Sequence, residues 1–242
     1  LGGLVDVMED QVHVPYEEIP HFPQSNVQGH AARLVFGRIG KTEIVAMQGR
    51  FHYYEGFAMK ELTFPVYVMK QLGVENLIVT NACGGINQEY QVGDLIILRD
   101  YINMLGQNPL IGDNDERFGT RFPDMSQPYD IGLVEKAKAA ATEKEITYKE
   151  GIYALFSGPC YETAAEIRAY SVLGADCIGM STVPETIAAN YLGMKVLGIA
   201  CITNMATGIA KERHSHEEVV RIAEAAGTRL CAWVQRMLET WE

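Results

Sequence analysis

The 242 residues carry a formal net charge of −11 and 48% hydrophobic side chains, which suits one α/β domain with a sizeable core. That charge argues against a nucleic-acid or anionic-membrane surface, so an anionic substrate has to be held by local groups. No apolar run approaches the ~20 residues of a membrane span. The five cysteines, Cys83, Cys160, Cys177, Cys201 and Cys231, include no C-x-x-C pair and are odd in number; they read as free thiols of a cytoplasmic protein. No histidine–carboxylate motif points to a metal.

Residues 1–31 show little periodicity and read as irregular with short extended pieces. The glycine-rich start, Leu1-Gly2-Gly3-Leu4, has no strand ahead of it, and residues before Leu1 are expected in the natural protein. Strands are predicted over 32–37 and 43–47, joined by a turn near Gly40-Lys41, and residues 48–56 follow as a polar, aromatic loop. A helix is predicted over 64–72, with Pro65 in its first turn and Gly73 at its end. Strands at 77–80 and 94–99 come next, the first running into Asn81-Ala82-Cys83-Gly84-Gly85.

Residues 104–128 form a long polar connection, of a length usually reserved for function, in which Arg117, Phe118, Arg121 and Phe122 offer the means to dock. A helix over 131–144 leads into the organising stretch, 151–185. There a strand (152–156) is broken by Ser157-Gly158-Pro159, and a capping box of Thr163 and Glu166 opens a helix that ends at Gly174. A strand (176–180) follows, and Thr182 with Glu185 repeats the capping pattern for a helix over 183–192. A strand over 195–203 ends in Thr203-Asn204, and Ser215 with Glu218 caps a final helix over 217–240. The order predicts a single α/β domain over 1–242, with a central mixed β-sheet flanked by helices.

The polar groups fall at strand ends, where ligands sit in open α/β sheets. If extended, Arg50, His52 and Tyr54 share one face, and Arg with His suits an oxyanion such as phosphate. The alternative is a solvated loop with a surface ion pair. Residues 81–85 offer either close backbone approach to a ligand or a tight structural turn; P-loop and dinucleotide fingerprints are absent. Taken singly, Glu162 reads equally as a surface carboxylate, Asn204 as a turn cap, Met180 as core and His216 as a solvated first-turn residue.

In order and spacing, GRFHYYEG, VTNACGG, GQNPL with NDERFG and RFPDMS, GPCYET, GADCIGMSTVPE, ITN and HSHEEV resemble the trimeric purine nucleoside phosphorylases, 6-oxopurine-specific and of bacterial type. The resemblance runs from Leu1 to the last helix. It implies phosphorolysis of inosine, guanosine and their deoxy forms to free base and pentose 1-phosphate in purine salvage. It implies no cofactor, with inorganic phosphate as co-substrate, and a homotrimer that binds purine nucleoside and phosphate but neither nucleic acid nor membrane.

By carry-over, Arg50, His52, Ser181 and the backbone N–H of Ala82 resemble phosphate ligands. Tyr54, Met180 and His216 resemble pentose contacts, and Phe122 an aromatic covering a neighbouring subunit's sugar. Tyr161, Glu162, Ile178, Thr203 and Asn204 resemble the base site, and His30 an entrance residue. Asn204, Glu162 and His52 are the expected catalytic groups. Asn204 would donate to N7 and Glu162 accept from N1–H, while most of the charge holding phosphate would come from Arg50 and His52. The family's N-terminal helix, first strand and Gly-Ser-Gly loop, which supplies a phosphate-binding serine, would precede Leu1. Tyr161 stands where the mammalian pattern has Phe, and Cys83 for a common Ala. Methylthioadenosine phosphorylase is the nearest alternative, expected to carry Asp in place of Asn204 and to lack Glu162. A nucleoside-binding protein without activity is the third.

Overall fold

The structure is a computed structural model that describes residues 2–24, 31–210 and 216–241. Two β structures organise it. The first is an antiparallel sheet of β1 (Glu9–Pro15), β2 (Arg33–Ile39) and β3 (Thr42–Gln48), in that order. The second is a closed barrel of β4 (Asn76–Gly85), β5 (Leu95–Asn103), β6 (Lys149–Leu155), β7 (Cys177–Gly179) and β8 (Lys195–Met205), ordered β4-β7-β6-β5-β8. Its pairings are mixed: β4–β8, β5–β6 and β6–β7 run parallel, β4–β7 and β5–β8 antiparallel. The expected mixed α/β architecture is thus present, with the sheet closed on itself.

The strands' composition explains their place. Residues 196–203 of β8 are buried without a break, as a strand covered on both faces requires. Helices α1 (Met59–Gln71) and α4 (Val183–Tyr191) pack on one side of the barrel, with Val66, Met69, Ile187 and Ala188 in one cluster with Val79 and Val196. On another side lie α2 (Ile131–Glu143) and α5 (His216–Glu239). Trp233 of α5 is fully buried there and donates its indole N–H to the Ala137 carbonyl at 2.6 Å. Helix α3 (Ala164–Val172) contributes Ile167 to a smaller cluster with Ile178.

β1 is one of the short extended pieces expected within residues 1–31, here a defined strand paired to β2. Several other elements differ from expectation. Helix α1 begins at Met59, so Pro65 lies inside it; the Glu61 side chain takes the Ala58 N–H at 2.8 Å and lets the helix start early. Residues 81–85 are neither loop nor turn but the last part of β4, paired to β8 across an irregularity between Cys83 and Gly84. The Thr163–Glu166 capping box forms. The one at Thr182–Glu185 does not. Ser215 and His30 lie outside the described residues.

Candidate active site

The phosphate-side residues converge from separate elements. Arg50 follows β3, and its guanidinium donates to Glu185 Oε1 at 2.9 Å, to the Thr80 carbonyl of β4 at 2.6 Å and to Ser181 Oγ at 3.4 Å. Ser181 is buried just beyond β7; its N–H donates to the Tyr153 hydroxyl at 3.3 Å, and its Oγ lies 3.1 Å from Thr182 Oγ1. Thr182 in turn accepts from Asn81 Nδ2 at 3.0 Å. Ala82, next along β4, is exposed.

His52 does not continue an extended run with Arg50 and Tyr54. Residues Tyr53–Glu55 make a 3₁₀ turn, and the rings of His52 and Tyr54 stack 4.8 Å apart. Glu55 Oε1 accepts from the His52 backbone N–H at 2.8 Å and from Nδ1 at 3.1 Å. A carboxylate only accepts, so the Nδ1 proton is fixed and Nε2 is left as an acceptor. Burial, then the neighbouring Arg50 cation, pull the His52 pKa below the usual value, against the Glu55 and Glu185 carboxylates. Burial and the Arg50 cation thus both disfavour the protonated form of His52, opposite in direction to the expectation that it supplies positive charge. Arg50 is the cation of the cluster.

The base-side residues are tied to the same region. Asn204 and Ile178 both pack on Gly84: a Cβ there would lie 3.3 Å from Asn204 Nδ2 and 3.6 Å from Ile178 Cγ2. The buried Thr203 hydroxyl lies 3.3 Å from the Cys83 carbonyl and 3.1 Å from Asn204 Oδ1, and shares its proton between these acceptors. Because Oδ1 is engaged, Nδ2 is the amide's donor, and it donates to the Met205 carbonyl at 3.3 Å; this is also what sets which way the amide is turned. Glu162 is buried, and desolvation raises its pKa from the ordinary carboxylate value. Tyr161 sits beside it, and its proximity to Tyr54 is felt in the raised pKa of the Tyr54 hydroxyl, which burial dominates. Met180 packs directly on Gly158, which precedes Tyr161 and Glu162 in the same connection.

Phe122 is 86% exposed, with the Arg121 guanidinium 5.8 Å from its ring centroid, and no described contact joins it to the cluster. His216 opens α5, and its side chain is outside the description. The connection over 104–128 docks through Phe118, edge-on to Tyr67 of α1 at 5.3 Å, and through Asn114, which accepts from Tyr191 of α4 at 2.9 Å. No group of His, Cys, Asp and Glu suited to a metal ion occurs among the described residues.

Sequence reasoning missed Thr80, Tyr153 and Glu185. A backbone carbonyl leaves no residue signal, Tyr153 reads as one more core aromatic, and Glu185 reads as a helix cap. Next to the cluster, a cavity of about 1220 Å³ lies between β3 and β4 and includes Arg50, Asn81, Ala82 and Glu185 in its wall. Among the described residues, β3 pairs only with β2, and β4 is paired along residues 76–83 only with β8, so strand edges border the cavity.

The chain matches the model of the phosphorylase superfamily over residues 1–239. It is 50% identical to purine nucleoside phosphorylase 1 of Bacillus subtilis, over the whole of this chain and 89% of that protein. It is 53% identical to purine nucleoside phosphorylase 1 of Geobacillus stearothermophilus, over 93% of this chain and 82% of that one. Among solved structures, the purine nucleoside phosphorylase of Schistosoma mansoni with inosine superposes with a TM-score of 0.94 at 38% identity, covering 99% of this chain and 87% of that one; the same protein is also solved with adenosine. With matches of this extent, the chain belongs to the phosphorylase superfamily, among its purine nucleoside phosphorylases.

Proposed function

We propose that the protein cleaves 6-oxopurine nucleosides with inorganic phosphate, releasing the free base and a pentose 1-phosphate. The observation that carries this reading is the convergence of Arg50 and Ser181 from separate elements, together with an Asn204 amide oriented by Thr203 and a buried carboxylate, Glu162. A phosphate oxygen attacks C1′ while the C1′–N9 bond breaks, and the N9 electron pair leaves with the purine. The proton carried by HPO₄²⁻ balances the one the departing purine gains, so no other reactant is needed. His52 in its neutral form, with Nε2 as acceptor, is suited to receive that phosphate proton. Asn204 donates to N7 as charge builds there, a contact strongest in the transition state. Glu162 accepts from N1–H of a 6-oxopurine; a 6-aminopurine has no proton there, leaving two acceptors face to face. Tyr161 and Ile178 border the base, and Tyr54, Met180 and His216 the pentose.

The same reading makes the protein a cytoplasmic homotrimer, with phosphate as co-substrate and no cofactor. The exposed Phe122 supports a subunit contact. The expectation of a further strand and phosphate loop ahead of Leu1 is supported by the cavity between β3 and β4, which Leu4 and Val5 also border.

The test is base release from inosine, guanosine, adenosine and methylthioadenosine, with and without phosphate. Phosphate-dependent turnover of the first two is expected. Turnover of methylthioadenosine alone would sink the 6-oxopurine assignment, and release without phosphate would make the enzyme a hydrolase. Turnover has to be the readout, since the Schistosoma mansoni protein is solved with inosine and with adenosine alike.

A further inference from the structure

We infer that Glu185 is a positioning residue for phosphate binding, acting by fixing the plane of the Arg50 guanidinium; this rests on the reading that Arg50 binds phosphate. Glu185 occupies the third position of α4, where its sequence partner Thr182 suggests a helix cap. Thr182 has φ +78°, a strained conformation for a β-branched residue, and makes no side-chain cap bond. Its hydroxyl is engaged with Asn81 and Ser181 instead. Glu185 is thereby released from the helix end and reaches Arg50, 135 residues away in sequence.

The pair is sheltered: side-chain exposure is 26% for Arg50 and 12% for Glu185. Glu185 Oε1 takes Nε–H and the Thr80 carbonyl takes Nη1, so a planar guanidinium is held through two of its three nitrogens. Nη2 donates to no described residue, and Nη1 also leans toward Ser181 Oγ. Nη2 is left for an oxyanion beside that hydroxyl. Glu185 Oε2 is buried without a hydrogen-bond partner. The carboxylate is therefore held where it is mainly by Arg50, and an ion buried this way needs its partner.

Charge and geometry make opposite predictions for this residue. The Glu185 carboxylate offsets the Arg50 cation, so if charge alone mattered, removing it would tighten phosphate binding. If it positions Arg50, removing it loosens binding, and an uncharged acceptor of the same shape restores it. Glu185→Gln keeps a carbonyl oxygen for Nε–H. Glu185→Ala keeps nothing, and Glu185→Asp keeps the charge but shortens the reach.

The experiment is calorimetric titration of the protein and its variants with inorganic phosphate, with thermal melting alongside. Glu185→Ala is expected to weaken phosphate binding about 10- to 100-fold, the scale of an ångström-level misplacement. Glu185→Asp should weaken it as well, and Glu185→Gln should stay within about threefold of the parent. Asp carries the test if the Ala variant does not fold. Phosphate binding that is unchanged or tighter in Ala or Asp overturns the positioning role, as does a Gln variant as weak as Ala. Arg50→Ala separates this from the underlying reading. If that variant binds phosphate normally, Arg50 is not a phosphate ligand; if it binds weakly while Glu185→Ala binds normally, only the positioning role fails.

Discussion

At the scale of single residues, Glu162 shows fold and function opposed. The residue is 8% exposed, and burial is the first cause of its raised pKa, with a bond to its own backbone opposing and the Glu166 charge adding. Between the ordinary value of 4.5 and the higher folded value, the folded chain binds more protons than the unfolded one. Stability therefore falls as pH rises through that window. At neutral pH the ionised group is a standing cost to the fold, which the proposed role as acceptor for the base would account for. Glu162→Gln should melt above the parent at pH 7, and the difference should shrink as pH falls toward 4.5. Inosine turnover by the same variant should drop on the order of 10²-fold, since a charged acceptor becomes a neutral one. A melting difference that stays constant across that pH range would remove burial of the carboxylate as its cause.

Among the secondary-structure elements, legibility followed how local the forces are. α2 was readable because its cap is local: Asp130 accepts from the Leu133 N–H at 2.9 Å. β8 was readable because burial on both faces demands an unbroken apolar run. β1 was readable only as an unplaced extended piece within residues 1–31, because its strand residues are largely exposed and its ladder is with β2, which lies beyond an intervening segment. At the site, Asn204, Thr203 and Glu162 could be placed at strand ends, but their grouping came from the resemblance, and the Arg50–Glu185 pair is a tertiary contact that competes with a local cap and wins. The loop between β6 and α3 gives a test at this scale. Gly158 has φ +64°, and a Cβ there would sit 2.3 Å from Met180 Sδ. Gly158→Ala must push Met180 away from the loop bearing Tyr161 and Glu162. The expected result is about 1–3 kcal/mol of lost stability and a nucleoside KM raised more than the phosphate KM. Equal effects on both constants would mean that the loop does not serve the base side alone.

For the whole molecule, the open question is why Phe122 faces outward. A phenylalanine 86% exposed, on a connection whose neighbouring Phe118 is docked on Tyr67, is poorly explained by a monomer. Its backbone is anchored nearby, since Arg121 donates to the carbonyls of Leu110 at 3.1 Å and Gly112 at 2.8 Å. The ring is thus presented from a fixed base, as a contact for a second copy of the chain would require. If the protein is a trimer and Phe122 covers a neighbour's sugar, Phe122→Ala should leave sedimentation unchanged and raise the nucleoside KM about tenfold, the scale of a buried aromatic anchor. Crossing defects then tests action between subunits. Phe122→Ala lacks the covering ring but keeps Asn204, and Asn204→Ala keeps the ring but lacks the donor. Co-expressed as mixed trimers, the two should recover a share of parental turnover at low inosine, because some sites pair an intact Asn204 with a neighbour's intact Phe122. Mixed assemblies no more active than the sum of the separate variants, or an active monomer in sedimentation, would confine Phe122 to its own chain and remove its place at the site.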